Sequence, residues 1–538
     1  MSGKPSNGMI VTPQPEATEA GHKVLCAGGN AVDAAIATAF VQGVVDPLMC
    51  GIAGFGSMAV YDPVSGKHEY IDFHAPAPGA ATGDMWADLI EGEARDGYGF
   101  VLKGRVNDIG YQSICVPASL RAYETAHRRH GSMPWADLVS HAIDWARQGW
   151  AVRPHVHQFW SEPSKMGRVA NFERIAHTPG SRALYCRADG SPKQVGDRVE
   201  NPDLANTLAL IARDGADAFY KGEIAQAILA DMQAGGGLVS AGDLADYAPK
   251  INAPISSAYR DFTVTTNQPP GGGPMLAQML NILAHFDLGA MGHNSAEYIR
   301  TVAEAMKYAT IDKDRFIGDP DFVDVPIDRI LSRDYAADLA QRIAKGEKAD
   351  VPRFDPAGEC RDTTQISVVD GAGMCVSMTH SLGMPSGVVT EGLGFMYNGC
   401  MGVFDPRPGL TGSIAPGKAR FSSVCPSIIF RDGAPYLVIG APGATQIAMG
   451  VLQATLNVLD FGCSMSEAVT RPRFSATSNA IDVVNRIPHS VTDALEQDGY
   501  QVIRDARSYG IAWVHGIRLA ASGPEGGADP ATDGMALP

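Results

Sequence analysis

Two adjacent threonines, Thr363 and Thr364, open the segment Asp362-Thr363-Thr364-Gln365-Ile366-Ser367-Val368-Val369-Asp370. They follow residues 345–362, a polar stretch with Pro and Gly and no hydrophobic period, which reads as a surface loop or linker. β-Branched residues in that place have a plain reading, which is strand propensity. They also have a chemical one. A cut between Asp362 and Thr363 would make the threonine an N-terminal residue. Its free α-amine would titrate near neutrality and could serve as the base for its own hydroxyl. From the residues alone both readings stay open. Other candidates carry less. His155-Val156-His157 could supply two metal ligands, but it is read as a surface segment with no acidic cluster beside it. Pro269-Pro270-Gly271-Gly272-Gly273 follows a strand-like Phe262–Thr266 and could cradle a phosphate. It lacks the lysine and spacing of a P-loop and is read as a turn feeding a helix at Met275. No G-x-S-x-G elbow, Walker A motif or H-E-x-x-H pair occurs.

The elements around these residues alternate between strand and helix signals. Pro15–Leu25 reads as a helix closed by Gly28 and Gly29, and Asn30 then offers an N-cap for an Ala-rich helix over 31–40 that must pack closely. A Gly-rich loop over 51–56 leads into strands at 57–61 and 68–73, joined by a turn at Asp62-Pro63-Val64-Ser65-Gly66-Lys67. From about 80 to 345 the pattern is mostly helical, for example at 118–130, 135–148, 202–214, 223–233 and 295–310. In the strand after Thr363, Thr364, Ile366 and Val368 fall on one face and Gln365, Ser367 and Val369 on the other, with a return strand over 374–379. A second hairpin, 427–430 with 436–440, runs into Ala441-Pro442-Gly443-Ala444-Thr445 and a helix from Gln446 to Leu459. The tail after Ser522 is rich in Gly, Asp and Pro and is expected to fray.

Composition narrows the class. The chain has 538 residues, 45% hydrophobic and 19% charged, which suits a globular protein with a sizeable core. With 43 Lys+Arg against 59 Asp+Glu the net charge is −16 and no basic stretch occurs, which argues against nucleic acid and against an anionic membrane surface. Nine cysteines, none in C-x-x-C spacing, read mostly as small apolar core residues such as Cys375. No apolar run approaches the roughly 18 residues of a membrane span, and no leader-like apolar region opens the sequence. The expectation is a reduced, cytoplasmic enzyme without metal or cofactor.

From about Gly8 to Arg507 the chain resembles the gamma-glutamyltransferase (glutathione hydrolase) family. The segments that carry the likeness are Ala27-Gly28-Gly29-Asn30-Ala31-Val32-Asp33-Ala34-Ala35, Val45-Asp46-Pro47, Gly236-Gly237-Leu238-Val239 with Asp243-Leu244-Ala245-Asp246-Tyr247, Ala303-Glu304-Ala305-Met306-Lys307, the run from Gly318 to Pro326, Thr363-Thr364-Gln365-Ile366-Ser367-Val368 and Ser422-Ser423-Val424-Cys425-Pro426-Ser427. The resemblance implies an N-terminal-nucleophile hydrolase of α/β (α+β) class, a four-layer αββα sandwich. It implies a proenzyme cut between Asp362 and Thr363 into a large segment, 1–362, and a small one, 363–538. These form a heterodimer, or a dimer of such heterodimers. Thr363 takes the place of the nucleophile, Ser381 that of the hydroxyl orienting it, and Gly443 and Ala444 that of the backbone N–H pair of the oxyanion hole. Ser422 and Ser423 match the serine pair that receives the substrate α-carboxylate.

Four departures fall in one subsite. The family's substrate-carboxylate arginine is replaced by His74, an asparagine by Gly383, and the Gln and Asp that hold the glutamyl ammonium by Cys400 and Val403. An ammonium facing Val403 loses a charge-assisted hydrogen bond, at a cost of about 2 kcal/mol. The segment 404–420 also looks short for the family's lid over the acyl site. The leading expectation is a self-processing amidohydrolase for a small-molecule amide. Its acyl group carries a carboxylate, received by Ser422, Ser423 and His74, but no α-ammonium, as in oxamate- or glutaryl-type compounds. The alternatives are a genuine gamma-glutamyl hydrolase or transferase and an unprocessed, non-catalytic homologue.

Overall fold

Alternation along the strand that follows Thr363 sorts the whole core into layers. The computed structural model describes residues 8–94, 97, 99–163, 168–353, 356–357 and 363–538. In the strand Thr364–Val369, Ile366 and Val368 join the apolar cluster shared with the helices, while Val369 joins a separate cluster between two sheets. The two faces read from the sequence are therefore a helix face and a sheet face.

The first sheet is antiparallel throughout, in the order Met535–Leu537, Met9–Thr12, Thr364–Val369, Cys375–Ser381, Phe55–Asp62, Lys67–Phe73, Lys250–Asn252. The second runs Gly523–Gly527, His515–Ala520, Ala434–Gly440, Ser427–Arg431, Phe262–Thr266, Ile255–Tyr259. Between the sheets lie Val11, Tyr70, Val369, Ile428, Phe430, Val438 and Ile517, with Ala59 and Cys375. Helices Pro15–Cys26 and Ala31–Val45 cover the first sheet. Gly273–Leu283 and Ile447–Leu459 cover the second, backed by Ala296–Phe316 and Arg333–Ala344. The expected αββα sandwich is the architecture observed.

Helix Ala31–Val45 is buried on nearly every side, which is why its residues are small. Its start is fixed reciprocally: Asn30 Oδ1 accepts from the N–H groups of Val32 and Asp33, and Asp33 Oδ2 accepts from the Asn30 N–H. The Ala31 N–H donates to Asp370 Oδ2 at 3.0 Å, tying this helix to the turn that ends the Thr364–Val369 strand.

One expectation needs correction. The tail does not fray as a whole, because Gly523–Gly527 and Met535–Leu537 close one edge of each sheet. Its glycines suit close contact: a Cβ on Gly526 would fall 2.6 Å from Ala536 Cβ. His155 and His157, read as part of a surface segment, lie half-buried on the helix Pro154–Trp160, where residues two apart do not face one another, and His155 packs edge-on against Trp513. Among the described residues no His/Cys/Asp/Glu group is arranged to hold a metal ion. The 345–362 linker is described only in part. Residues 345–353 are visible, Pro356–Ala357 pairs with residues 93 and 94, and Asp362 lies outside the described residues. No helix among them is long and apolar enough to cross a membrane.

The glycine run acts as a clamp. The Ser422 N–H donates to Pro270 O, the Gly272 N–H to Val424 O and Asn267 Nδ2 to the same Val424 carbonyl, which holds Ser422-Ser423 against the start of helix Gly273–Leu283. A Cβ on Gly272 would sit 2.3 Å from the Ser423 carbonyl oxygen. Gly272→Ala is therefore expected to destabilise the protein by about 1–3 kcal/mol in urea unfolding, since backbone must move to admit the methyl group. An unchanged midpoint would contradict the clamp.

Candidate active site

Strand pairing lines up four residues at one end of the first sheet. Thr364 pairs with His380, so Thr363 lies beside Ser381. Ser381 pairs with Phe55, and the Gly56–Phe73 pair sets His74 beside Phe55. With strands about 4.8 Å apart, this row spans roughly 14 Å. By alternation all four face the second sheet, as do Ser377, whose Oγ donates to Ile439 O, and Ser367, whose Oγ donates to His515 O.

At the head of the row Thr363 Oγ1 donates to Ser381 Oγ at 3.1 Å, and the Gly383 N–H donates to the same oxygen at 2.8 Å. Both side chains are buried. Thr363 holds φ at 125°, a region closed to a β-branched residue unless its surroundings impose it, at a cost of order 1–3 kcal/mol.

Behind this pair a buried polar chain fixes the strand. Tyr123 OH lies 2.7 Å from His380 Nδ1, and His380 Nε2 lies 2.7 Å from Gln42 Oε1. An amide oxygen only accepts, so the imidazole donates from Nε2 and accepts the tyrosine proton at Nδ1. Burial holds His380 at a pKa of about 3, consistent with a neutral ring. Gln42 Nε2 donates to Gln14 Oε1 and to Thr364 Oγ1, and Gln14 Nε2 donates to Asp46 Oδ2. Burial pushes Asp46 up to about 6.

The second sheet brings a turn to the same end. Gly440 packs on the Gln365 side chain, two residues beyond Thr363, and residues 441–444 follow. Gly443 has φ 142° and Ala444 φ 50°, and among the described residues neither N–H has an acceptor. A 3-10 turn, Ala444–Gln446, precedes the helix expected there, which runs Ile447–Leu459. The turn is braced from below. The Trp513 N–H donates to Pro442 O, and Ile511 and Ala512 are held left-handed at φ 61° and 57°. Arg473 grips both their carbonyls while ion-paired with Asp529.

The carboxylate side differs from expectation. Ser422 and Ser423 are buried, and Ser423 Oγ has no partner among the described residues. His74 is 7% exposed with neither ring nitrogen hydrogen-bonded. Burial first, then the nearby Arg420 and Lys250 charges, lower its pKa to about 3, so it offers an N–H but no positive charge at pH 7. Gly383, at φ 64°, and Cys400 meet as expected: a Cβ on Gly383 would lie 3.1 Å from Cys400 Sγ. Val403 ends the short turn Cys400–Val403 and is half-buried. One residue was missed. Arg420 is 1% exposed, with its guanidinium carbon 4.1 Å from the centre of the Phe55 ring, in the middle of the row. The available signal was its place just ahead of Phe421-Ser422-Ser423 on one extended segment.

The buried chain makes its own forecast. Gln42→Leu strands His380 Nε2–H and Gln14 Oε1 at a cost of about 1–3 kcal/mol each. Urea unfolding should show that loss, and a change below about 1 kcal/mol would mean that water replaces the amide.

Comparisons with known proteins bear on the whole chain rather than on single site residues. The family model described as Gamma-glutamyltranspeptidase matches residues 17–538. The Acylase ACY 1 proenzyme of Pseudomonas sp. (strain V22) is 36% identical over 526 residues, covering 97% of this chain and 91% of the relative. The glutathione hydrolase proenzyme of Escherichia coli (strain K12) is 32% identical, covering 87% and 80%. Among solved structures, the cephalosporin acylase from Bacillus halodurans superposes with a TM-score of 0.87 at 27% identity, covering 99% of this chain and 96% of that one. By family match and by identity over most of its length, the chain belongs to the gamma-glutamyltranspeptidase family of N-terminal-nucleophile hydrolases and transferases.

Proposed function

We propose that the protein is a self-processing amidohydrolase that forms an acyl-enzyme on Thr363, with an acyl group that carries a carboxylate but no α-ammonium. The observation that carries this reading is the buried Thr363 Oγ1–Ser381 Oγ bond at 3.1 Å on a residue held at φ 125°. In processing, Thr363 Oγ attacks the Asp362 carbonyl carbon, the peptide nitrogen leaves as the α-amine, and water hydrolyses the resulting ester. The strand Thr364–Val369 lies between Met9–Thr12 and Cys375–Ser381 in one sheet, so segments 1–362 and 363–538 stay together as a heterodimer after the cut.

In turnover the α-amine takes the hydroxyl proton as Thr363 Oγ attacks the substrate carbonyl. Neither His380 nor His74 serves as the base: both nitrogens of His380 are engaged by Tyr123 and Gln42, His74 stands at the far end of the row, and burial lowers both pKa values to about 3, so neither ring would keep a transferred proton at pH 7. Charge develops on the carbonyl oxygen, and the Gly443 and Ala444 N–H groups at the head of helix Ile447–Leu459 are the donors that receive it. The amine product departs with a proton, and water releases the acid. Ser422 and Ser423 hydrogen-bond the acyl carboxylate. The relatives named as acylases support a non-glutamyl acyl group, and those named as glutathione hydrolases keep a gamma-glutamyl substrate as the second reading.

Two outcomes test this reading. Thr363→Ala should remain one 538-residue chain without amidase activity, while Thr363→Ser should still mature, more slowly. Two normal fragments from the alanine variant on a denaturing gel would refute the role of Thr363. On the matured protein, glutaryl-p-nitroanilide should show a higher kcat/KM than gamma-glutamyl-p-nitroanilide. One lost ammonium partner is worth about 2 kcal/mol, or roughly thirtyfold. A clear preference for the glutamyl compound would promote the second reading.

A further inference from the structure

The site holds a positive charge at a position where the resemblance led us to expect only neutral replacements. Resting on the acyl-enzyme reading above, we infer that Arg420 inverts the charge of the acyl subsite, receiving the distal carboxylate of a dicarboxylic (glutaryl-type) acyl group and repelling an α-ammonium. Three observations lead there. First, Arg420 sits over Phe55, one strand from Ser381 and two strands, about 10 Å, from Thr363 along the row. A five-carbon acyl chain esterified at Thr363 can bring its far carboxylate to side-chain reach of that point. Second, the guanidinium occupies the space cleared by the departures. A Cβ on Gly383 would lie 3.5 Å from Arg420 Nη2 and 3.1 Å from Cys400 Sγ, so an asparagine extending past that point would run into the guanidinium. The loss of the Asn and Gln side chains and the presence of the arginine are thus one change rather than three.

Third, the other basic candidate is disqualified. His74 is neutral, and the roughly 340 Å³ cavity it borders is lined by Asp72, Asp243, Asp246, Asp319 and Asp321 against one Lys250. That cavity repels a carboxylate. Arg420 Nη1 donates to the Phe421 carbonyl at 3.3 Å, which leads directly to Ser422 and the buried, unpartnered Ser423 Oγ. A carboxylate bound here would meet a guanidinium fork and serine hydroxyls together, the geometry in which arginine outperforms lysine.

The test separates this inference from the Thr363 reading by measuring binding and turnover apart. By calorimetry, the wild-type protein should bind glutarate more tightly than L-glutamate. Arg420→Met should weaken glutarate binding about thirtyfold, and Arg420→Lys, which keeps the charge and loses the fork, about tenfold. If the methionine variant does not fold, the lysine variant carries the test. Pentanoyl-p-nitroanilide, uncharged and of equal length, should lose less kcat/KM in both variants than glutaryl-p-nitroanilide loses. Unchanged glutarate affinity, or equal losses on the glutaryl and pentanoyl anilides, would overturn the inference and leave Arg420 as packing for Phe55. Arg420-dependent glutarate binding without release of p-nitroaniline from any anilide would uphold Arg420 and sink the Thr363 reading instead.

Discussion

The register of one strand pair governs this molecule. Because Thr364 pairs with His380, Thr363 and Ser381 stand side by side and both point at the second sheet, where the Gly443 turn arrives. Side chains alternate with a period of two, so a one-residue slip would turn the hydroxyl into the helix layer and destroy the arrangement. The chain from Tyr123 through His380, Gln42 and Gln14 to Asp46 opposes that slip. It is buried throughout, and each partner is fixed by the next. A slipped strand would strand several of these groups at once.

Four of the eight non-glycine residues with positive φ among the described residues lie where that register delivers the chain. Thr363, Ala444, Ile511 and Ala512 all have positive φ, and the last two lie under the Gly443 turn, gripped by Arg473. Each such residue costs of order 1–3 kcal/mol and persists only because packed surroundings over-determine it. In the proposed cycle the strain at Thr363 favours the cut, and the strain around Gly443 keeps two N–H groups aimed outward before any substrate arrives. The αββα sandwich supplies the rigidity that both require.

The sequence shows some of this plainly. The two faces of the strand after Thr363 and the Asn30 N-cap are local signals, and the structure bears them out as elements. What stayed hidden depends on contacts between distant segments. Arg420 lies over Phe55 only after the sheet has formed, so its place ahead of Ser422 hints at the site but not at the Phe55 contact. The edge strand Gly523–Gly527 is formed from turn-type residues that only a pre-existing sheet makes extended. His74 reads in the sequence as a receiver of the acyl carboxylate in place of an arginine; its burial, invisible in the sequence, leaves it neutral.

The most direct measurement is to trap the acyl-enzyme. The purified protein is mixed with glutaryl-p-nitroanilide, quenched in acid within the first turnovers, digested and analysed by mass spectrometry. The account predicts one glutaryl group on the peptide that begins at Thr363-Thr364-Gln365, with Thr363 as its free N-terminal residue. A glutaryl group on any other residue, or an active chain in which Thr363 still follows Asp362, would contradict it.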